Sequence, residues 1–257
     1  MSKYEITSIL SEAADWNLFD ANVHLGPSGV HGELSLDTTG LLGEMDRYFV
    51  KSALVSHWTA EEYDAAVGND ALERDLHHRF MPAWSMVPDD DFLQTLSSRS
   101  VSAVRLTPTQ HNFSLDTWCA GPMLDYLQQN AIVTLVARSD IAWSDIATLL
   151  ENFPRLPLVL LETGYRSDRY LFPLLKKFPS LYFDSATYLA HRQLEYFVEK
   201  HGPDRLLFGS RLPLFTPAAA MGVLASARIA DSAKQQIAGG NLRRLLNCAV
   251  AQTRVNS

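Results

Sequence analysis

The chain has 257 residues, 47% apolar and 20% charged, which excludes long disordered stretches. Its 22 Lys and Arg against 29 Asp and Glu give a formal charge of −7, which argues against non-specific nucleic-acid binding. Cys119 and Cys248 form no disulfide framework or zinc spacing, no run of 18 apolar residues could span a membrane, and the N-terminus has no apolar leader core. A reduced, cytoplasmic protein is the expectation.

Short apolar runs recur along the chain at Leu18–His24, Ser52–His57, Phe80–Met86, Val101–Leu106, Ile132–Ala137, Leu158–Glu162, Leu181–Asp184 and Arg205–Gly209. Several lack strict alternation, as strands of a parallel sheet buried on both faces do. Helical marks fill the gaps. Thr59 to Glu62 reads as a capping box opening a stretch to His78, and Thr216-Pro217 pairs a cap residue with a first-turn proline. Ala120–Asn130, Trp143–Phe153, Ser167–Phe178 and Leu189–His201 read as further helices. Eight strand–helix units in series predict an α/β fold, a (β/α)8 TIM barrel, with a doubly wound sheet as the rival. No linker divides residues 1–257, so one domain is expected. The long connection Gly26–Asp37 would lie over the mouth of such a barrel as a lid.

Barrel chemistry gathers at the C-terminal ends of the strands. Those ends carry Asn22 and His24, then His57, Arg105, Arg138, Glu162, Asp184 and Arg211 in chain order. Such a concentration of ionisable side chains points to a functional pocket rather than to scattered rim ion pairs. The five tryptophans read as packing anchors or pocket walls.

Several segments resemble the amidohydrolase superfamily, in particular its amidohydrolase-2 branch of metal-dependent hydrolases and decarboxylases. LFDANVHLGP at 18–27 is similar to the family's opening DxHxHxG strand. LVLLETG at 158–164 and LYFDSA at 181–186 resemble its sixth and seventh strands. RLLFGSRLPLFTP at 205–217 resembles RxLFGSDxP, and GGNLRRLL at 239–246 the closing helix. The resemblance implies a TIM barrel spanning nearly the whole chain.

The metal-binding pattern that the resemblance implies is largely replaced. Asn22 stands for the first histidine of the HxH pair, leaving His24. No histidine lies among residues 135–139, Glu162 replaces the sixth-strand histidine, and Arg211 replaces the eighth-strand aspartate. No metal cofactor is therefore expected, although His24 and Glu162 leave room for a single divalent ion. A guanidinium supplies positive charge and planar hydrogen bonds, part of what a dication does, so Arg211 reads as a metal surrogate paired with Glu162.

The resulting expectation is a hydrolase of a small carboxylate-bearing ester, lactone or amide. His24, Glu162 and Asp184 would be its catalytic residues, and Asn22, His57, Arg105, Arg138 and Arg211 would bind an anionic substrate. The alternatives are a catalytically silent relative that binds a small anion, or a lyase or decarboxylase of the same branch. Neither nucleic acid nor membrane is an expected partner, and a homo-oligomer is compatible with the sequence. An acidic partner for His24 inside a closed pocket would favour an enzyme.

Overall fold

Eight parallel strands run in the order of the chain, each pairing with the next. They are β1 (Leu18–Leu25), β2 (Val50–His57), β3 (Phe80–Ser85), β4 (Ala103–Leu106), β5 (Val133–Ala137), β6 (Leu158–Leu161), β7 (Leu181–Asp184) and β8 (Leu206–Leu207). Two backbone bonds return from the β8 side to β1: Ala21 N–H to the Phe208 carbonyl (2.8 Å) and His24 N–H to the Leu212 carbonyl (2.8 Å). Helices alternate with the strands, so the architecture is the expected (β/α)8 barrel and not an open sheet. This computed structural model describes residues 13–247; the N-terminal segment searched for a leader and Cys248 lie outside the described residues. No helix among the described residues is long and apolar enough to cross a membrane.

Two apolar layers hold the barrel. Alternate strand residues such as Leu54, Ala83, Val133 and Val159 fill its interior. Leu242, Leu245 and Leu246 join them from the helix at 241–247. Arg243 in that helix donates to the Asn17 carbonyl (2.7 Å), which places the helix under the N-terminal ends of the strands. The other strand faces pack on the surrounding helices through residues such as Leu18, Val55, Leu160 and Phe183. Burial on both faces is why β5, with sequence VTLVA, is apolar apart from the buried Thr134 and shows no strict alternation.

One irregularity positions the site. On β1, Asp20 lies opposite Ala53 and Val23 opposite Val55, so three steps on β1 match two on β2. The extra residue is a β-bulge, and it flips the parity of the strand. Phe19 and Ala21 face the interior before it, and Asn22 and His24 reach the mouth cluster after it.

The helical stretch after β2 departs from expectation. It begins at Trp58, not after Thr59, because the His57 imidazole Nδ1 accepts the Thr59 N–H (3.2 Å) as the N-cap. It stops at Glu62, and a second helix, Ala65–Arg74, starts with Asp64 capping Val67 (2.8 Å). Glu62 does not close a capping box. It accepts from the Ser28 hydroxyl (2.7 Å) and the Gly29 N–H (2.8 Å), tying the Gly26–Asp37 connection down over the mouth. Thr216 caps Ala218 with Pro217 in the first turn, as expected.

Candidate functional site

A cavity of about 150 Å³ opens at the C-terminal mouth, with His24, His31, Trp58, Glu61, Arg105, Asp140, Glu162 and Arg211 among its walls. His24 is 1% exposed. Its ring stacks on Trp58 with centroids 3.8 Å apart and planes 9° apart. Nε2 of His24 lies 3.1 Å from Glu61 Oε1, and the same oxygen meets Arg105 Nε at 3.0 Å. Arg105 continues the chain by donating to Asn22 Oδ1 (3.1 Å). Asn22 Nδ2 donates in turn to Asp184 Oδ2 (3.1 Å) and Glu162 Oε1 (3.3 Å). Arg211 Nε closes the network on Glu162 Oε1 at 2.9 Å. One polar relay thus crosses the mouth from β1 through β4 and β6 to the end of β8.

Backbone conformation sets the two ends of the last pair. Glu162 and Arg211 both adopt left-handed φ values, 58° and 61°, at the ends of their strands. L-residues adopt that region at a cost on the order of 1 kcal/mol or more, tolerated where surrounding structure enforces it. Here the Glu162 N–H is anchored on Asp184 Oδ1 (2.8 Å). Asp184 itself is fully buried and lies beneath the cavity, not in its wall.

Charge balance at the mouth follows from burial and pairing. Burial pushes Glu61 upward, but Arg105 and His24 beside it outweigh that and hold its carboxyl below the usual range. Burial lowers His24, favouring the neutral imidazole. An ionised Glu61 can only accept, so Nε2 carries the proton and Nδ1 keeps the lone pair. Both ring nitrogens are buried, and the contact of Nε2 with Glu61 at 3.1 Å falls outside hydrogen-bond geometry. Asp184 is pushed up to about 7 by burial and by neighbouring Glu162. Asp20, below the bulge, is also raised to about 7 by burial, partly offset by bonds from Ser210 and Asn22. Burial raises Asp140 in the cavity wall as well.

Asn22, His24, Arg105, Glu162, Asp184 and Arg211 are therefore brought together, as the strand ends suggested. Two expected residues are not. His57 caps the following helix and packs on Gly26, where a Cβ would lie 2.0 Å from Nε2 of its ring. Arg138 turns away from the cluster, donates to the Ile141 carbonyl and lies over the Trp143 ring, 4.8 Å from its centroid. The carboxylate beside His24 is Glu61, a residue that the strand ends do not name. Its signal was spacing: Trp58 and Glu61 are three apart on a helix that starts directly at the end of β2, so both face the same way. Trp58 is a wall of the mouth, whereas Trp118 is 80% exposed and neither anchor nor wall.

A profile described as amidohydrolase matches residues 35–248. No curated protein matches the chain. Solved structures share its fold at low identity. One is a TIM-barrel protein from Bordetella bronchiseptica, 16% identical, covering 90% of this chain and 99% of that one, TM-score 0.70. Another is 5-carboxyvanillate decarboxylase from Sphingomonas paucimobilis, 16% identical over 91% and 99%, TM-score 0.69. A third is a dihydroxybenzoic acid decarboxylase from Polaromonas sp. JS666 with bound manganese, 14% identical over 90% and 97%, TM-score 0.67.

The residues present here do not fit a divalent ion. Among the described residues no three His, Cys, Asp or Glu side chains gather as a metal-holding group. His24 is committed to Glu61, and Glu162 to Arg211 and Asn22. The Arg105 and Arg211 guanidiniums occupy those carboxylates and would repel a dication, which ordinarily needs three protein ligands at a catalytic site. The barrel and the profile match over residues 35–248 agree, and the chain belongs to the amidohydrolase family.

Proposed function

We propose that the protein is a metal-independent acid–base enzyme, hydrolysing a small carboxylate-bearing ester, lactone or amide. The observation that carries this reading is the His24–Glu61 pair, 3.1 Å apart inside a cavity flanked by Arg105 and Arg211. A site that only binds anions needs the arginines and has no use for a buried, oriented imidazole.

In this reading Glu61 orients the His24 imidazole, which takes a proton from the attacking water. Glu61 then stabilises the imidazolium, while Arg105 keeps Glu61 itself ionised. Arg211 donates to the oxyanion that develops on the attacked carbonyl, and its charge is shared with Glu162 beforehand. The proton taken up by His24 then passes to the leaving oxygen or nitrogen, with Asp140 in the same cavity wall. Trp58 stacked on His24 supplies a flat apolar wall that keeps bulk water from the base.

Decarboxylation of a small aromatic acid is the second reading. It is favoured by the same flat wall beside a proton-carrying imidazole and by the decarboxylases among similar folds. The test is a panel of aryl esters, small lactones, amides and hydroxybenzoates, assayed with chelated protein. Product acid without carbon dioxide supports hydrolysis, and carbon dioxide release replaces it with the second reading. Binding of small carboxylates with no turnover of any panel member overturns both and leaves an anion-binding relative.

A further inference from the structure

Beside the mouth lies a second cleft of about 410 Å³, walled by Arg138, Trp143, Thr163, Tyr165, Arg166 and Tyr170. We propose that this cleft is a binding site for a planar aromatic carboxylate. It is separate from the mouth cavity and joined to it at Ser139, which lines both. The inference stands whatever reaction the mouth performs.

The wall is flat and open. Trp143 and Tyr170 stack with centroids 5.3 Å apart and planes 7° apart, while Tyr165 and Tyr170 are each more than half exposed. The exposed parts of the two tyrosines offer apolar surface against which another ring packs.

The two cations lie against the rings. Arg138 lies over Trp143, and the Arg166 guanidinium lies 5.2 Å from the centroid of Tyr165. Neither arginine has a carboxylate within ion-pair distance among the described residues. Some arginines of this acidic chain are paired instead: Arg79 meets Asp46, and Arg99 meets both Asp70 and Glu73. Arg138 spends one N–H on the Ile141 carbonyl, which fixes the guanidinium and leaves the rest of its donor fork for a ligand. Two unpaired guanidiniums beside an aromatic face select a carboxylate attached to a ring.

A third observation comes from the floor. Thr163 is 6% exposed, yet its hydroxyl is buried with no hydrogen-bond partner. Such a group costs free energy until something meets it, and a carboxylate oxygen at the floor would accept its proton. The turn after β6 therefore serves both cavities, with Glu162 in the mouth wall and Thr163 in the cleft.

Titration with benzoate, followed by tryptophan emission, tests the proposal. Benzamide serves as the neutral ring and acetate as the ring-free anion. Benzoate is expected to bind at least about tenfold more tightly than either, because losing a charge-assisted bond or the stacked ring costs that much or more. The double variant Arg138→Gln/Arg166→Gln, altered at sites outside the buried core, should weaken benzoate about tenfold or more, and Thr163→Val severalfold. Trp143→Phe should abolish the emission change. Equal binding of benzoate and benzamide overturns the proposal, as does unchanged benzoate affinity in the double variant. An emission change that survives in Trp143→Phe places the ligand elsewhere and overturns it too.

Discussion

His24 Nε2 and Glu61 Oε1 lie 3.1 Å apart, joining the first strand of the barrel to the short helix that begins at the end of the second. The same Glu61 oxygen is shared with Arg105 at 3.0 Å, so the histidine and the arginine are held by one buried carboxylate. Removing that carboxylate should disturb both function and fold. Glu61→Gln should lower kcat/KM by about 10²–10⁴-fold, the range for loss of acid–base assistance. It should also cost about 3–5 kcal/mol in urea melts by leaving Arg105 buried and unpaired. Adding Arg105→Met should recover much of the stability and none of the activity. If Glu61→Gln alone is as stable and active as the parent, the pair has no such role.

Arg211 and Glu162 form a less buried pair, with side chains 31% and 11% exposed. Water screens part of their attraction, so Arg211→Ala should cost only about 0.5–1.5 kcal/mol, less than a fully buried pair would. Its activity should nevertheless fall, by about 10–100-fold, if the guanidinium stabilises an oxyanion. Because Arg211 has φ 61°, Arg211→Gly should be more stable than Arg211→Ala by about 0.5–1 kcal/mol. Thermal melts of the two variants check this, and equal stability would remove the claim of backbone strain.

Stability should carry a signature of Asp20. Its carboxyl is raised from an ordinary 3.8 to about 7, so between about pH 4 and 7 the folded chain holds a proton that the unfolded chain has released. The stability from this group is therefore full at low pH and lost as pH rises through that window. His24 acts in the opposite sense, because its value is lowered and its contribution grows as pH rises towards 6.5. Asp20→Asn keeps an oxygen for the Asn22 and Ser210 N–H bonds and removes the titration. Relative to the parent, the variant should gain roughly 2–3 kcal/mol between pH 5 and pH 8. Urea melts at the two pH values decide it.

Divalent metal should make no difference. Two guanidiniums already neutralise the carboxylates at the mouth, and further positive charge is opposed there. Dialysis against EDTA should leave the melting temperature and any turnover unchanged, and millimolar manganese or zinc should not raise either. Arg211→Asp should not create a metal site, because the fifth- and sixth-strand histidines are still missing. Stoichiometric metal in chelator-free protein, lost together with activity, would reverse this conclusion.

Gly26 should tolerate no side chain. Its φ is +83°, and a Cβ would lie 2.0 Å from the His57 ring. Gly26→Ala should destabilise by about 2–3 kcal/mol, combining the left-handed backbone with overpacking. Adding His57→Ala should recover the overpacking part and leave about 1 kcal/mol uncorrected. Melting curves of the single and double variants separate the two contributions.

Much of this architecture is legible in the chain itself. Runs such as IVTLVA and LVLLE are mostly apolar and lack strict alternation because a barrel strand is covered on both faces, and eight of them in series leave few other folds. The ends of those runs also name Asn22, His24, Arg105, Glu162, Asp184 and Arg211, together with His57 and Arg138, since the strand ends of a barrel gather at one face. What the sequence could not determine was partnership. Glu61 pairs with His24 across 37 positions, and Arg105 reaches Asn22 across 83, distances that closing the barrel sets and no periodicity encodes. Nor could it foresee that a bulge in β1 would turn both Asn22 and His24 inward, or that Arg138 and His57 would turn away. A side chain's direction depends on the backbone dihedrals at the strand end and on which neighbour offers the better contact. For Arg138 that neighbour was the Trp143 ring, and for His57 the bare surface of Gly26.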